Sequence, residues 1–212
     1  MAKAGSFFWY DLMTSDVKAA VAFYKAVVGW NDEAFGGNDY GYVVMKAGET
    51  GVGGIMPLPN ASQPPAWLGY IKAEDTDAQT KAAEAAGGKV LRQPEDIPGE
   101  IGRFSVIADP TGAAYMLLQP NGPDQPGPEP MTPGHVGWNE YIGDDWQKAA
   151  AFYEKLYGWT KSQAVDMGEM GIYQLVAFGG EDMGGMMNRP PHIPHSHWGF
   201  YFVVEGIDAA RQ

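Results

Sequence analysis

Between residues 7 and 30 the spacing of apolar positions changes period once. From Phe7 to Met13, aromatic and aliphatic side chains alternate loosely with other residues, which predicts a strand. Ser15 or Asp16 then supplies a helix N-cap. Beyond it Val17, Val21, Tyr24 and Val28, spaced 4-3-4, draw one apolar stripe along a helix over about 16–28. Gly29 stands where a helix ends in a left-handed residue. Short strands separated by glycine turns follow, around Tyr42–Lys46 and Gly53–Met56. The predicted order is β-α-β-β-β.

The pattern is then repeated. AVAFYKAVVGW at 20–30 returns as AAAFYEKLYGW at 149–159, with six of eleven positions identical at an offset of 129. Trp9 falls on Trp138, Asp11 on Glu140 and Asp16 on Asp145, and Trp146, Ala150, Tyr153 and Tyr157 redraw the stripe. After an insertion the offset is 131, so that Tyr42 falls on Tyr173, Gly53-Gly54 on Gly184-Gly185, Trp67 on Trp198 and Tyr70 on Tyr201. The helices at 16–28 and 145–157 should superpose, with Val21/Ala150 and Tyr24/Tyr153 buried at matching sites. A fainter repeat at offset 59 lies inside the first module: Trp67–Ala73 again reads as a strand, Thr76–Ala86 as a helix, and Phe104–Ala108 and Ala114–Leu118 as strands joined by the DPTG turn at 109–112. Each module is thus two β-α-β-β-β half-modules. Ordered matches of this number identify a tandem duplication.

The joint is PNGPDQPGPEPMTPG, whose six prolines and three glycines suit neither a helix nor a central strand. The boundaries expected are module one at 1–119, a semi-rigid linker at 120–134 and module two at 135–212. The counterpart of 82–118 would fall at 213–249, so module two is expected to be C-terminally incomplete, with Trp198–Val204 left as a sheet edge. The fold class expected is α+β.

The order strand–Asp16–helix with Phe23-Tyr24 and Gly29-Trp30, the junction Glu74-Asp75-Thr76-Asp77, and Asp109-Pro110-Thr111-Gly112 before a strand resembles the vicinal oxygen chelate superfamily. That superfamily includes glyoxalase I, extradiol dioxygenases and bleomycin-resistance proteins. The resemblance is closest to tandem two-module bacterial glyoxalase-like proteins and covers nearly the whole chain. It implies paired half-modules that curl mixed sheets around a cupped pocket, and, in the enzymes, a divalent metal. The implied ligand positions are Trp9, Leu68 or Trp67, and Met116, with Trp138 and Gly199 or Trp198 in module two. None of these side chains offers a hard oxygen or an imidazole nitrogen.

Strand alternation puts Trp9 and Asp11 on one face, and Trp138 and Glu140 likewise. If the ligand positions that the resemblance implies face the cup, the candidate ligand-binding residues are Trp9, Asp11, Trp67, Trp138, Glu140 and Trp198. Asp11 and Glu140 are the candidate catalytic carboxylates, because a charge among apolar neighbours must find a ligand, a proton or an internal partner such as Tyr or Arg103. The alternative is that the tryptophans are simply core. NRPPHIPHSHW at 188–198 reads first as a proline-bound loop; were it a metal tract, His195, His197 and Glu140 would be the ligands. The glycine pairs read as strand bends rather than a nucleotide fingerprint, and Met183, Met186 and Met187 as core filler.

Composition narrows the classes. A net charge of −12 argues against nucleic acid as a partner. No apolar run is long enough for a membrane span, no signal peptide is evident, and a cytoplasmic protein is the default. The absence of cysteine removes disulfides and thiolate chemistry. The function expected first is metal-free binding of a small aromatic or cationic molecule, without a cofactor and with a homodimer left open. A metal-dependent or acid/base glyoxalase-like lyase or dioxygenase is the second reading, and a structural or interaction protein the third.

Overall fold

The computed structural model describes residues 3–35, 41–123 and 127–211; linker residues 124–126 lie outside that description. The fold is α+β, with two curled, unclosed mixed sheets and few helices. The first half-module runs β1 (Phe7–Thr14), α1 (Val17–Val28), β2 (Asn31–Ala34), β3 (Val43–Ala47) and β4 (Thr50–Pro57). The second runs β5 (Ala66–Lys72), α2 (Thr76–Ala85), β6 (Lys89–Ile97), β7 (Gly102–Ala108) and β8 (Ala114–Pro120). The third runs β9 (Val136–Gly143), α3 (Trp146–Tyr157), β10 (Thr160–Asp166), β11 (Ile172–Phe178) and β12 (Glu181–Asn188). Then come β13 (His197–Phe202) and the short α4 (Ile207–Ala210).

The helices begin for one reason repeated three times. Asp16, Asp75 and Asp145 each accept a 2.9 Å hydrogen bond from the backbone N–H three residues on, satisfying a donor the first turn cannot use. Gly29 and Gly158, at φ +81° and +71°, end α1 and α3 in the left-handed region, where a Cβ would be strained.

Packing does not follow the sequence modules. One compact unit comprises the segment up to Phe8, Gly69–Gly127 and Trp138–Gly199; the other comprises Trp9–Leu68, Pro128–Gly137 and the residues from Phe200 onward. Each compact unit draws on both of the modules expected from the repeat. The tryptophan after each helix has a matching role. In the second unit the Trp30 indole N–H donates to Gly134 O at 2.7 Å, and in the first unit that of Trp159 donates to Gly5 O at 2.6 Å. Gly5 and Gly134 are themselves repeat equivalents, and both have φ near +90°. Each Gly-Trp therefore ties a helix end to the approach strand of the other module. Tyr24 stacks on Trp30 and Tyr153 on Trp159.

In the second unit the hydrogen-bonded strand order is β2-β3-β4-β1. In the first unit one sheet runs β5-β8-β7-β6, and the other, whose inner strands lie there, runs β10-β11-β12-β9-β13. Pairing of β1 with β4 and of β9 with β12 is parallel, with Asp11 opposite Gly54 and Glu140 opposite Gly185.

Both helices form as expected, but only one buries its stripe. In α3, Ala150, Phe152, Tyr153 and Tyr157 are buried; in α1 nothing is, Val21 and Tyr24 being half-exposed. The expectation of equal burial is corrected. The stripe is the same, but α3 is buried beneath α2 and Tyr115 of β8 within the first unit, while α1, which meets the short α4 and lays Val17, Val21, Tyr24 and Val28 on the second unit's core, stays half-exposed.

Candidate functional site

Two constellations form where the strands β1 and β9 run beside glycines. In the second unit Tyr42, just ahead of β3, lays its ring over Gly54 and donates to Asp11 Oδ1 at 2.7 Å. The Trp9 indole N–H donates to the same oxygen and to the Tyr42 hydroxyl, at 3.0 Å each. In the first unit Tyr173 of β11 covers Gly185 and donates to Glu140 Oε1 at 2.9 Å, while the Trp138 N–H donates to the Tyr173 hydroxyl at 2.7 Å. A Cβ on Gly54 would sit 2.0 Å from the Tyr42 hydroxyl, and one on Gly185 2.2 Å from the Tyr173 ring. The second glycine of each pair is therefore a seat for tyrosine. The first, Gly53 or Gly184, lets the backbone of the neighbouring strand approach, since a Cβ there would meet Tyr10 O at 2.2 Å or Asn139 O at 2.0 Å. The reading of these glycines as bends alone is corrected.

Replacing Gly185 by alanine should displace Tyr173 and cost about 1–2 kcal/mol of stability, in the lower range for overpacking. Urea melts would check this; a change within error would mean that the ring tolerates the added methyl where it lies.

The two carboxylates differ in exposure. Asp11 is 3% exposed, whereas Glu140, Trp138 and Tyr173 are half-buried. Burial and the adjacent Asp11 charge push the Tyr42 hydroxyl well above the ordinary tyrosine range, so it stays a proton donor. Arg103 serves neither carboxylate; it pairs with Asp77 and Asp96.

Of the six residues expected to bind ligand, the structure groups Trp9 with Asp11, and Trp138 with Glu140. Trp67 and Trp198 sit elsewhere. The Trp67 N–H donates to Tyr24 OH at 2.8 Å among Trp30 and Phe202. That of Trp198 donates to Tyr153 OH at 2.9 Å among Phe7, Tyr141 and Trp159. Both are packing residues of their units. Sequence reasoning passed over Tyr42 and Tyr173 as members of the constellations, although their match at offset 131 was available as a signal.

The donor set does not fit a divalent metal. An indole N–H carries no lone pair to give, and those of Trp9 and Trp138 are spent on hydrogen bonds. His195 and His197 have ring centroids 6.3 Å apart, and His197 Nδ1 lies 3.2 Å from the His195 carbonyl. Among the described residues no three His, Asp or Glu side chains converge, so His195, His197 and Glu140 do not assemble. A shallow surface depression lined by Ala150, Glu154, Trp159, Thr160, Lys161, Val176 and Met186 shares no residue with either constellation. The repeated hydrogen-bond geometry is the better guide to chemistry than this open hollow.

Comparison with known proteins adds the lineage. Residues 8–118 match the family described as "Glyoxalase-like domain". Over 122 residues the chain is 42% identical to "Putative glyoxylase CFP32" of Mycobacterium tuberculosis, covering 56% of this chain but 45% of that protein, so the chain matches less than half of that relative's length. It is 30% identical over 223 residues to "Anthracycline biosynthesis protein DauV" of Streptomyces sp. (strain C5), covering 95% of this chain and 78% of that protein. A solved structure of a Mn(II)-bound glyoxalase from Novosphingobium aromaticivorans superposes with a TM-score of 0.65 at 16% identity, covering 92% of this chain and 65% of that one. A likeness at that identity speaks to fold alone.

Proposed function

This chain belongs to the glyoxalase-like domain family, and from that premise we propose that it binds a small, flat, amine-bearing aromatic molecule without a metal at the family's usual ligand positions. Trp138, Glu140 and Tyr173 are the contact residues. The observation that carries this reading is the difference between two otherwise matching constellations: Asp11 is sealed, while Glu140 keeps access to solvent. Glu140 is a half-buried carboxylate that accepts from the Tyr173 hydroxyl, a charge suited to an ammonium group, and the Trp138 indole beside it offers a π-face. The net charge of −12 draws cations toward the whole molecule. The extended similarity to a protein named for anthracycline biosynthesis favours a polycyclic aromatic ligand. No helix among the described residues is long and apolar enough to cross a membrane, and the cytoplasm is our assignment of compartment.

Titration of the protein with an amino-sugar anthracycline, followed by quenching of ligand fluorescence, tests the proposal. Glu140→Gln should weaken binding by about 1.5–3 kcal/mol, the range for a hydrogen bond to a charged group, and leave the fold intact. Equal affinity in the two proteins would sink it. Stoichiometric divalent metal in untagged protein would sink the metal-free part. A second reading, a lyase in which Glu140 acts as general base, is favoured by the relative named as a glyoxylase. It requires turnover that Glu140→Gln abolishes, whereas binding alone leaves the ligand unchanged.

A further inference from the structure

The two carboxylate constellations share one backbone frame. Asp11 and Glu140 stand at equivalent places in β1 and β9, opposite Gly54 and Gly185 in matching parallel pairings. A tyrosine ring lies over each of these glycines and donates to the carboxylate, Tyr42 in the second unit and Tyr173 in the first. Even the irregularity repeats. The register shifts between Met45 and Lys46, and again between their equivalents Val176 and Ala177.

Two positions differ in ways that bear on the carboxylate. The first is the acid itself, one methylene longer at 140 than at 11. On the short side chain Oδ1 accepts from both the Tyr42 hydroxyl and the Trp9 indole, and the group is sealed at 3% exposure. Beside the long one the Trp138 N–H donates to the Tyr173 hydroxyl, and Glu140 stays half-buried. The second difference lies under the indole. A Cβ on Gly51 would meet Trp9 Cη2 and Cζ3 at 3.1 Å, so the Trp9 ring rests on bare backbone there. The equivalent of Gly51 is Asp182, whose side chain accepts from the Ser162 hydroxyl. Position 182 offers a ring no bare backbone.

We propose, on the premise that Glu140 receives an amine, that the second unit holds a closed copy of the same site. Acid length at 11 and 140 decides which copy is open, and the residue at 51 or 182 reinforces the choice by placing the indole. Charge does not select between them, because both positions carry a carboxylate. An amine at Asp11 would have to displace two donors and leave them without their acceptor, a cost that Glu140, clear of the indole N–H, avoids. The chain therefore takes one amine, not two, and specificity resides in a single methylene.

Coupling of glycinamide to the carboxylates by a water-soluble carbodiimide, located by peptide mass, reads their presentation without any ligand. Scaled to the rates in urea, position 140 should couple about tenfold or more faster than position 11, a factor equal to ~1.4 kcal/mol of protection. Glu140→Asp should slow position 140 to the rate of position 11, and Asp11→Glu should quicken position 11. Fluorescence titration with an amino-sugar anthracycline should show one site in the unsubstituted chain and about tenfold weaker binding in Glu140→Asp. Asp11→Glu should add a second site. Unchanged coupling at position 140 in a Glu140→Asp chain that melts cooperatively overturns the proposal, as does a folded Asp11→Glu chain whose position 11 stays protected. Equal anthracycline affinity in Glu140→Asp also overturns it, leaving the amine reading intact with charge as the sole requirement. If the unsubstituted chain binds no anthracycline, the amine reading fails, and the coupling rates still decide whether one copy is closed and the other open.

Discussion

Tyr153→Ala will cost the fold about 3–5 kcal/mol, the range for truncating a buried aromatic side chain, whereas Tyr24→Ala at the equivalent position will cost roughly 1–2 kcal/mol. Tyr153 is fully buried, stacks on Trp159 at 4.6 Å, meets Trp198 edge-on at 5.4 Å and bridges the Trp198 N–H to the Asp109 carboxylate. Its removal opens a cavity and leaves a buried donor and a buried acceptor without their partner. Tyr24 touches a comparable set, Trp30 at 5.5 Å and Trp67 at 5.2 Å, but one side faces solvent, so water fills what the ring vacates. Urea titrations of both variants measure the difference. Equal losses would mean that the two faces are equally covered, contrary to the described burial. Tyr153→Phe separates the hydroxyl from the ring and should lose about 1 kcal/mol or slightly more.

Asp11→Ala will destabilise the protein by about 1–3 kcal/mol, because it removes a buried acceptor shared by two half-buried donors, while Glu140→Gln will change stability by less than about 1 kcal/mol. The asymmetry follows from position. Asp11 is 3% exposed, and its Oδ1 receives both the Tyr42 hydroxyl and the Trp9 indole. Glu140 is half-buried and accepts from Tyr173 at 2.9 Å, while the Trp138 N–H goes to the tyrosine rather than to the carboxylate. The longer glutamate side chain brings its charge nearer to water. Thermal melts of the two variants settle the order; a larger loss for Glu140→Gln would reverse the roles assigned to the pair. Loss of ligand affinity in Asp11→Ala then counts as a consequence of unfolding unless it persists well below the melting temperature.

Much of the molecule is legible before any coordinates. The 4-3-4 stripes, the three capping aspartates and the left-handed glycines place α1, α2 and α3 to within a residue or two, because these signals are local and each has a physical cause within one turn. Strands β1, β5, β8 and β9 are readable for the same reason, as aromatic or aliphatic runs. Strands β2 and β10 are not. Their sequences NDEA and TKSQAVD are exposed at nearly every position, so no alternation marks them, and they are strands only because a neighbour's backbone supplies the hydrogen bonds.

The candidate site divides in the same way. Pleating alone puts Trp9 with Asp11 and Trp138 with Glu140, since residues two apart in a strand share a face. What reaches those carboxylates across the intervening glycine-bearing strand depends on register, and one residue of slip would have turned Tyr42 and Tyr173 away. Trp67 and Trp198 read as cup residues because they repeat; tertiary packing made them partners of Tyr24 and Tyr153. By itself the sequence determined that there are two modules, which helices they contain and which carboxylates lie beside an indole. Only the tertiary structure decided that each compact unit is built from both modules, that Asp11 is sealed and Glu140 is not, and that one of two equivalent helices is buried while the other stays half-exposed. Burial depends on what lies opposite a surface, and the residues of that surface do not encode it.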